Sequence, residues 1–254
     1  MKNINRIVTV LELISTYAEG VGITELHKSS SLPKSTLHRI LNSLIKYGYA
    51  AQSKDTKKYK LGPTFLRLSA NYLHQNDLRK IATPYLKKLN QEFMETVYLV
   101  VFQNNLAICI DTHELSRNNV TYFVKQGRVL PFNTCAAAKV ILAYQEEEII
   151  NELVVQKNII KSTEKSITDP KILLKHLSKI RKIGYALCKE EMEEGVMAIA
   201  APIWDINLKV VGSVAIVGPL NRIENLEKKL IKNIKKTAYS ISCEMGCNPE
   251  LFGF

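Results

Sequence analysis

The sequence predicts an α+β protein in two parts: a small basic unit of three helices and a hairpin, followed by helices around one mostly antiparallel sheet. Three observations predict it. Apolar residues recur at helical spacing through residues 7–47 and then give way to a short alternating segment. The positive charge is concentrated in that stretch: residues 1–62 hold ten Lys and Arg against four Asp and Glu, whereas the 254-residue chain has 35 against 24. From Thr96 onward, strand-length apolar runs alternate with helical patterns.

Ile7, Val10, Leu11, Ile14 and Tyr17 follow the i, i+3, i+4, i+7 rule and define a first helix that Gly20 and Gly22 end. Thr24 is the expected cap of a short second helix reaching about Lys28, and Ser29-Ser30-Ser31-Leu32 the turn after it. Pro33 stands where a helix tolerates its first residue, since the missing N–H has no intrahelical partner there anyway. The third helix runs to about Tyr47. Leu37, Ile40, Leu41, Leu44 and Ile45 line one face, while Lys34, Ser35, Thr36, His38, Arg39 and Asn42 line the other. Gly48 stops it. Tyr49–Gln52 and Lys57–Leu61 then flank the polar turn Ser53-Lys54-Asp55-Thr56, the pattern of a hairpin with a basic tip. Helix, helix-turn-helix and hairpin in that order make a winged helix-turn-helix over residues 1–62.

Gly62-Pro63 closes the hairpin. Phe65, Leu66, Leu68, Tyr72 and Leu73 predict a linker helix over 63–79, broken near Asn76-Asp77. The remaining chain, 80–254, opens with a helix through Ile81, Tyr85, Leu86 and Leu89. Residues 96–114 form two apolar runs around Gln103-Asn104-Asn105, a hairpin, and 119–132 a third strand. Residues 134–144 are Ala-rich and helical. Residues 146–155 and 171–182 continue as helices, the latter started by Thr168-Asp169-Pro170. Residues 184–190, 196–205 and 209–218 read as strands and 225–245 as one long closing helix. Such a sandwich can enclose a small-molecule cavity.

The net charge of +11 favours a polyanion partner. No apolar run approaches the roughly 18–20 residues of a membrane span. The N-terminal stretch also carries Arg6 and Glu12 within its apolar pattern, which does not fit a signal peptide, so a cytoplasmic location with no membrane partner is expected. Five scattered cysteines read as reduced thiols. Cys243-x3-Cys247 lacks a second ligand pair, so no metal site and no cofactor are expected. Nucleotide, zinc-protease and serine-hydrolase motifs are absent. Glu190, Glu191, Glu193 and Glu194 read as a solvated acidic loop, Asp111-x-His113 as an exposed strand end. Cys135 falls at the expected start of a helix, where the dipole would lower a thiol pKa.

Double-stranded DNA fits the first sixty residues. A helix enters the major groove, where short donors near its N-terminus reach base edges. Ser35, Thr36, His38, Arg39 and Asn42 are the candidate base-facing residues. Lys34 and the wing lysines Lys54, Lys57 and Lys58 are the candidate phosphate contacts.

The segment Leu32-Pro33-Lys34-Ser35-Thr36-Leu37-His38-Arg39 resembles the recognition-helix motif of the IclR family of bacterial transcription regulators, and Tyr59-Lys60-Leu61-Gly62 resembles the end of that family's wing. The resemblance continues through GRVLPFNTCAAAKVILA, EEMEEGVMAIAAPIWD and GSVAIVGPLNRI, and spans roughly residues 5–245 in order. It implies an N-terminal DNA-binding domain, a linker helix and a C-terminal GAF-like effector domain. It also implies a homodimer or dimer of dimers on a pseudo-palindromic operator, more often repressing than activating, with no catalytic residues. The dimer surfaces expected are the first helix (Ile7, Val10, Leu11, Ile14) and the linker helix (Phe65, Leu68, Leu73). By the same resemblance Tyr122, Leu130, Ala136, Ala137, Cys188, Ala198, Ala215 and Val217 line the effector pocket. Relatives that bind small carboxylates tend to place an Asp near position 188 and Ser at 215 and 217. Here a thiol and two apolar side chains stand instead, and Ala138 replaces the family's Gly. The implied effector is a carboxylate with an apolar portion, met by the amides of Ala136 and Ala137 on a helix capped by Asn133 or Thr134. The alternative is a GAF-like enzyme or redox-sensing protein with a vestigial winged helix.

Overall fold

The computed structural model describes residues 2–75, 77–114, 124–156 and 159–247, and the chain divides into two compact units, Met1–Gln75 and Asn76–Phe254. The first unit opens with α1 (Lys2–Thr16), α2 (Ile23–Ser30) and α3 (Lys34–Lys46). Their apolar stripes meet in one small core: Val10 and Ile14 of α1, Leu26 of α2, and Leu37, Leu41 and Leu44 of α3 are buried together with Val21, Ala50 and Tyr59. The cap of α2 is Gly22 and not Thr24, which lies inside the helix; Gly22 is extended (φ −79°, ψ 155°) and makes no side-chain cap. The turn is also shorter than the serine run suggests. α2 continues through Ser30, and Ser31 ends it in the left-handed region. His27 Nδ1 then donates to the Leu32 carbonyl at 2.7 Å and fixes the chain's exit. Pro33 sits one position before α3 as its N-cap, and its carbonyl accepts from the Leu37 amide.

The hairpin pairs β1 (Ala50–Gln52) with β2 (Tyr59–Leu61), Ala50 opposite Leu61 and Gln52 opposite Tyr59. Lys57 and Lys58 belong to the turn, Lys57 with positive φ (57°). Val21 exchanges both backbone hydrogen bonds with Tyr59, so the wing has a third, one-residue rung that the sequence pattern does not announce. The linker helix is α4 (Thr64–Gln75), which packs within the first unit by a Phe65–Tyr49 edge-to-face contact and a hydrogen bond from Thr64 Oγ1 to the Tyr47 carbonyl. Residues 77–79, assigned from the sequence to the linker, instead open the first helix of the second unit.

That unit begins with α5 (Asp77–Phe93) and the hairpin β3 (Thr96–Gln103) and β4 (Leu106–His113), joined by Asn104 and Asn105 with φ of 51° and 59°. Two successive positive φ values give the primed turn whose twist suits a two-residue hairpin. β5 (Val129–Leu130) is all that is seen of the expected third strand; residues 119–123 of it lie outside the described residues. Then follow α6 (Ala136–Leu142), α7 (Glu147–Asn151) with a π turn over Glu152–Gln156, and α8 (Pro170–Ile183). Asp169 caps α8 by accepting from the Lys171 and Ile172 amides, with Pro170 at the first turn. β6 (Ala186–Lys189), β7 (Val196–Trp204) and β8 (Val210–Pro219) complete a sheet of order β5-β4-β3-β8-β7-β6, antiparallel throughout the described residues. The closing helix is two helices, α9 (Leu220–Asn225) and α10 (Glu227–Glu244), separated at Leu226.

α6 and α8 lie on one face of the sheet, α5 and α10 on the other. Coverage of both faces explains why β3, β7 and β8 are apolar almost throughout and do not alternate.

Gly62 has the least room of the first unit's glycines. A Cβ there would overlap the Gly48 carbonyl and stand 2.9 Å from the Ala50 nitrogen, while Gly48 itself has φ +73°. Gly62→Ala is expected to cost the first unit about 1–3 kcal/mol through forced backbone strain. Far-UV circular dichroism melts check this, and the fluorescence transition of Trp204, the single tryptophan, should stay in place because it reports on the second unit.

Candidate functional site

α3 shows what a DNA-reading helix needs. Its apolar side is sealed in the core, so Lys34, Ser35, His38, Arg39 and Asn42 are all exposed and Thr36 half-buried on the opposite side. α3 contains no carboxylate. Lys54, Lys57 and Lys58 are exposed at the wing tip, where Lys57 N–H donates to the Ser53 carbonyl and Gln52 Nε2 to the Lys57 carbonyl. The structure thus places all nine DNA candidates on the surface of one unit, on two adjacent elements.

In the second unit the antiparallel register puts Tyr98, Ala215, Val217, Ala198 and Cys188 on one face of the sheet, because Tyr98 pairs with Ala215, Val217 with Ala198 and Ala198 with Cys188. α6 covers that face. Between them is a cavity of about 30 Å³ lined by Tyr98, Val124, Thr134, Cys135, Ala136, Cys188, Glu191, Met192, Glu193, Val196, Ala198 and Val217. Of the eight residues assigned to a pocket by resemblance, Ala136, Cys188, Ala198 and Val217 line it. Ala137 is buried with its carbonyl accepting from Ser213 Oγ, Ala215 is sealed in the sheet, and Leu130 lines a different groove with Phe132 and Ile160. Tyr122 lies outside the described residues.

The cap of α6 is Cys135, in extended conformation, and neither Asn133 nor Thr134. Asn133 is spent on the loop after α7: its amide donates to the Ile160 and Ile167 carbonyls and its oxygen accepts from the Ile160 amide. Thr134 Oγ1 is buried on the cavity wall with no hydrogen-bond partner among the described residues.

Lys139 is the residue that sequence inspection passed over. It is 0% exposed, on an α6 that is otherwise Ala, Val, Ile and Leu. Its ammonium pairs with Glu191, itself 8% exposed, so the expected solvated acidic loop is corrected at that residue. Burial alone would pull the Lys139 pKa down, but Cys188 and Glu191 outweigh it and the pKa is raised. His176 Nδ1 lies 3.5 Å from the same ammonium, and burial followed by the Lys139 charge lowers its pKa to about 4, leaving it neutral. A lone lysine in an apolar helix was the available signal, since a buried charge requires a partner. Glu190 bonds Lys165 and the Gly195 amide, and Thr163 and Ser166 hold the 190–191 carbonyls, so the loop is pinned at its base.

The thiols do not follow the expectation for a helix start. Burial pushes Cys135 up despite the α6 amides, and Cys188 well up despite Lys139. Desolvation of the thiolate is the larger effect, which disfavours the redox-sensing alternative. Asp111 is also not an exposed strand end: it is buried, accepts from Thr83 Oγ1 at 2.8 Å, and faces Arg79 and His113 at 3.5 Å. Cys243 is exposed and Cys247 buried, and no group of three metal-ligating side chains occurs among the described residues.

The chain matches the model of the IclR helix-turn-helix domain over residues 4–54 and that of the bacterial transcriptional regulator IclR C-terminal domain over residues 70–243. It is 30% identical over 228 residues to the HTH-type transcriptional regulator KdgR of Escherichia coli, covering 89% of this chain and 86% of that one. It is 28% identical to the transcriptional repressor IclR of the same organism, covering 88% and 82%. Its fold is that of an IclR homologue of Microbacterium hydrocarbonoxydans crystallised with 4-hydroxybenzoate (TM-score 0.78, 22% identity, 95% and 98% covered).

Removing either partner of the buried Lys139–Glu191 pair is expected to cost about 3–5 kcal/mol, because the survivor is left charged and unpaired. Lys139→Met combined with Glu191→Leu should lose clearly less than the sum of the two single variants. Urea unfolding followed by Trp204 fluorescence, run as a double-mutant cycle, measures this coupling.

Proposed function

The chain belongs to the IclR family of DNA-binding transcriptional regulators, and from that premise we propose that α3 and the wing read a pseudo-palindromic operator as part of a homodimer or dimer of dimers, repressing until an effector binds the second unit. The observation that carries the DNA assignment is the outer face of α3: six polar or basic side chains, and no acid in the helix. One winged helix covers few base pairs, so two half-sites are needed for useful specificity. For the dimer surface the candidates narrow. Val10 and Ile14 are consumed by the monomer core, Leu11 and Phe65 are half-buried, and Ile7 on α1 and Leu68 on α4 are exposed; Leu66, outside the expected set, is also exposed. Leu73 lies outside the residues whose side chains are described. No helix among the described residues is long and apolar enough to cross a membrane. The protein acts as a regulator and not as a catalyst.

Arg39→Ala is expected to cost about 1–3 kcal/mol on the duplex that the wild type selects from a random library, and to relax preference at one position. Lys57→Ala should weaken selected and scrambled duplexes alike and lower the salt slope by about one unit. Unchanged binding by Arg39→Ala on both duplexes would remove the base-reading role.

The effector we assign to the cavity is a carboxylate with an apolar or aromatic body. The wall is dominated by Tyr98, Val124, Ala136, Met192, Val196, Ala198 and Val217, and the unpartnered Thr134 hydroxyl is available to the ligand's polar end. The space of about 30 Å³ holds only about two waters, so entry requires the Met192–Glu193 side of the loop to move. An aromatic acid at a hundredfold excess over Kd should stabilise the second unit by about 2.7 kcal/mol in a thermal-shift screen. Thr134→Val should reduce that gain. Stabilisation by pyruvate or glyoxylate alone would contradict the size assignment.

A further inference from the structure

The first turns of α1 lie beside α3. Asn3, Arg6 and Ile7 form one side of a surface groove whose other side is Thr36, Arg39, Ser43 and Tyr47, over a floor that includes Ile40, Leu44 and Tyr49. Arg6 and Arg39 are both exposed, and Tyr47 is 67% exposed. Neither guanidinium has an ion pair among the described residues. α3 carries no carboxylate, and α1 carries none before Glu12, more than a helical turn beyond Arg6. Two guanidinium groups on one groove repel each other, and neither α3 nor residues 2–11 of α1 offer an acid to offset them. An arrangement of that kind attracts an anion from outside.

The identity of the anion follows from which residue is shared. Arg39 belongs both to this groove and to the outer face of α3, so whatever occupies the groove is continuous with what α3 reads. A helix seated in the major groove has the sugar–phosphate backbone along its flank, and contacts made from neighbouring elements fall on phosphates more than on base edges. We propose that Arg6, supported by Asn3 and the Tyr47 hydroxyl, is a DNA phosphate contact that flanks the recognition helix. The inference rests on the assignment of α3 as the DNA-reading helix and adds a contact from a different element. Its signature also differs from Arg39's: Arg6 contributes affinity without sequence preference, and Arg39 contributes preference.

The test uses the full-length protein with two duplexes, the sequence selected by the wild type from a random library and a scrambled version, titrated between about 50 and 200 mM salt. Arg6→Ala is expected to weaken both duplexes by the same factor, about five- to tenfold, and to reduce the slope of log K against log salt by about one per protomer. Arg6→Lys should keep the slope and most of the affinity, since a phosphate accepts a point charge. Glu12→Gln serves as a control one face away and should change neither. The proposal is overturned if Arg6→Ala leaves affinity and slope unchanged. It is equally overturned if the loss is confined to the selected duplex, which would make Arg6 a base reader, or if sedimentation shows a smaller assembly, which would make it an interface residue. Loss of preference in Arg39→Ala alongside unaltered Arg6→Ala binding would remove only this contact; no effect in either variant would remove the assignment of α3 itself.

Discussion

A fully buried ammonium governs the second unit. Lys139 sits in a helix whose other side chains are Ala, Val, Ile and Leu, so water cannot answer its charge. Only a carboxylate brought in from elsewhere can, and Glu191 arrives from the loop between β6 and β7. The neutral His176 and the thiol of Cys188 complete the surroundings without adding a competing charge. Because Glu191 is tied to α6, the residues after it, Met192 and Glu193, are held over the same cavity that α6 opens with Thr134, Cys135 and Ala136. The wall of the cavity is thus a consequence of charge neutralisation. The loop is therefore anchored by a pair that is costly to break.

The first unit depends on a different constraint, the burial of one face of α3. Leu37, Leu41 and Leu44 leave no freedom in how that helix is rotated, and rotation decides which side chains meet water. Ser35, His38, Arg39 and Asn42 are outward because three leucines are inward. The close approach of Gly62 to Gly48 likewise ties the end of the wing to the end of α3, so the basic tip is carried by the helix it serves.

Much of this was legible in the sequence for a physical reason. Amphipathic helices and hairpins are local, and their periodicity survives in any context; α1, α3, the β3–β4 turn at Asn104-Asn105 and the Asp169-Pro170 cap all stood where their residue types demanded. The errors were of two kinds. Capping misassignments at Thr24 and Asn133 arose because a residue suited to a cap was free to do something else, as Asn133 does by bridging to Ile160 and Ile167, while Pro33 fell one position earlier than expected, at the cap itself. The larger misses, Glu191, Asp111 and Lys139, concern polar residues whose fate is set by partners 28 to 52 positions away in sequence. An acidic run looks solvated until one member finds a buried cation, and nothing local to EEMEE distinguishes Glu191 from Glu190.

The same logic explains which of the residues assigned to a pocket by resemblance line the cavity beside α6. Positions two apart on one strand share a face, so Val217 and Ala215 were natural companions. The cavity, however, lies where α6 begins, and of the strand residues so assigned and described it is Val217, Ala198 and Cys188 that reach it. Ala215 is paired with Tyr98, fully buried, and does not line the cavity. A serine at 217 would therefore stand on the cavity wall, whereas a serine at 215 would be sealed within the sheet. The register of β7 on β8, and not the residue type, determines which small side chain reaches the cavity wall.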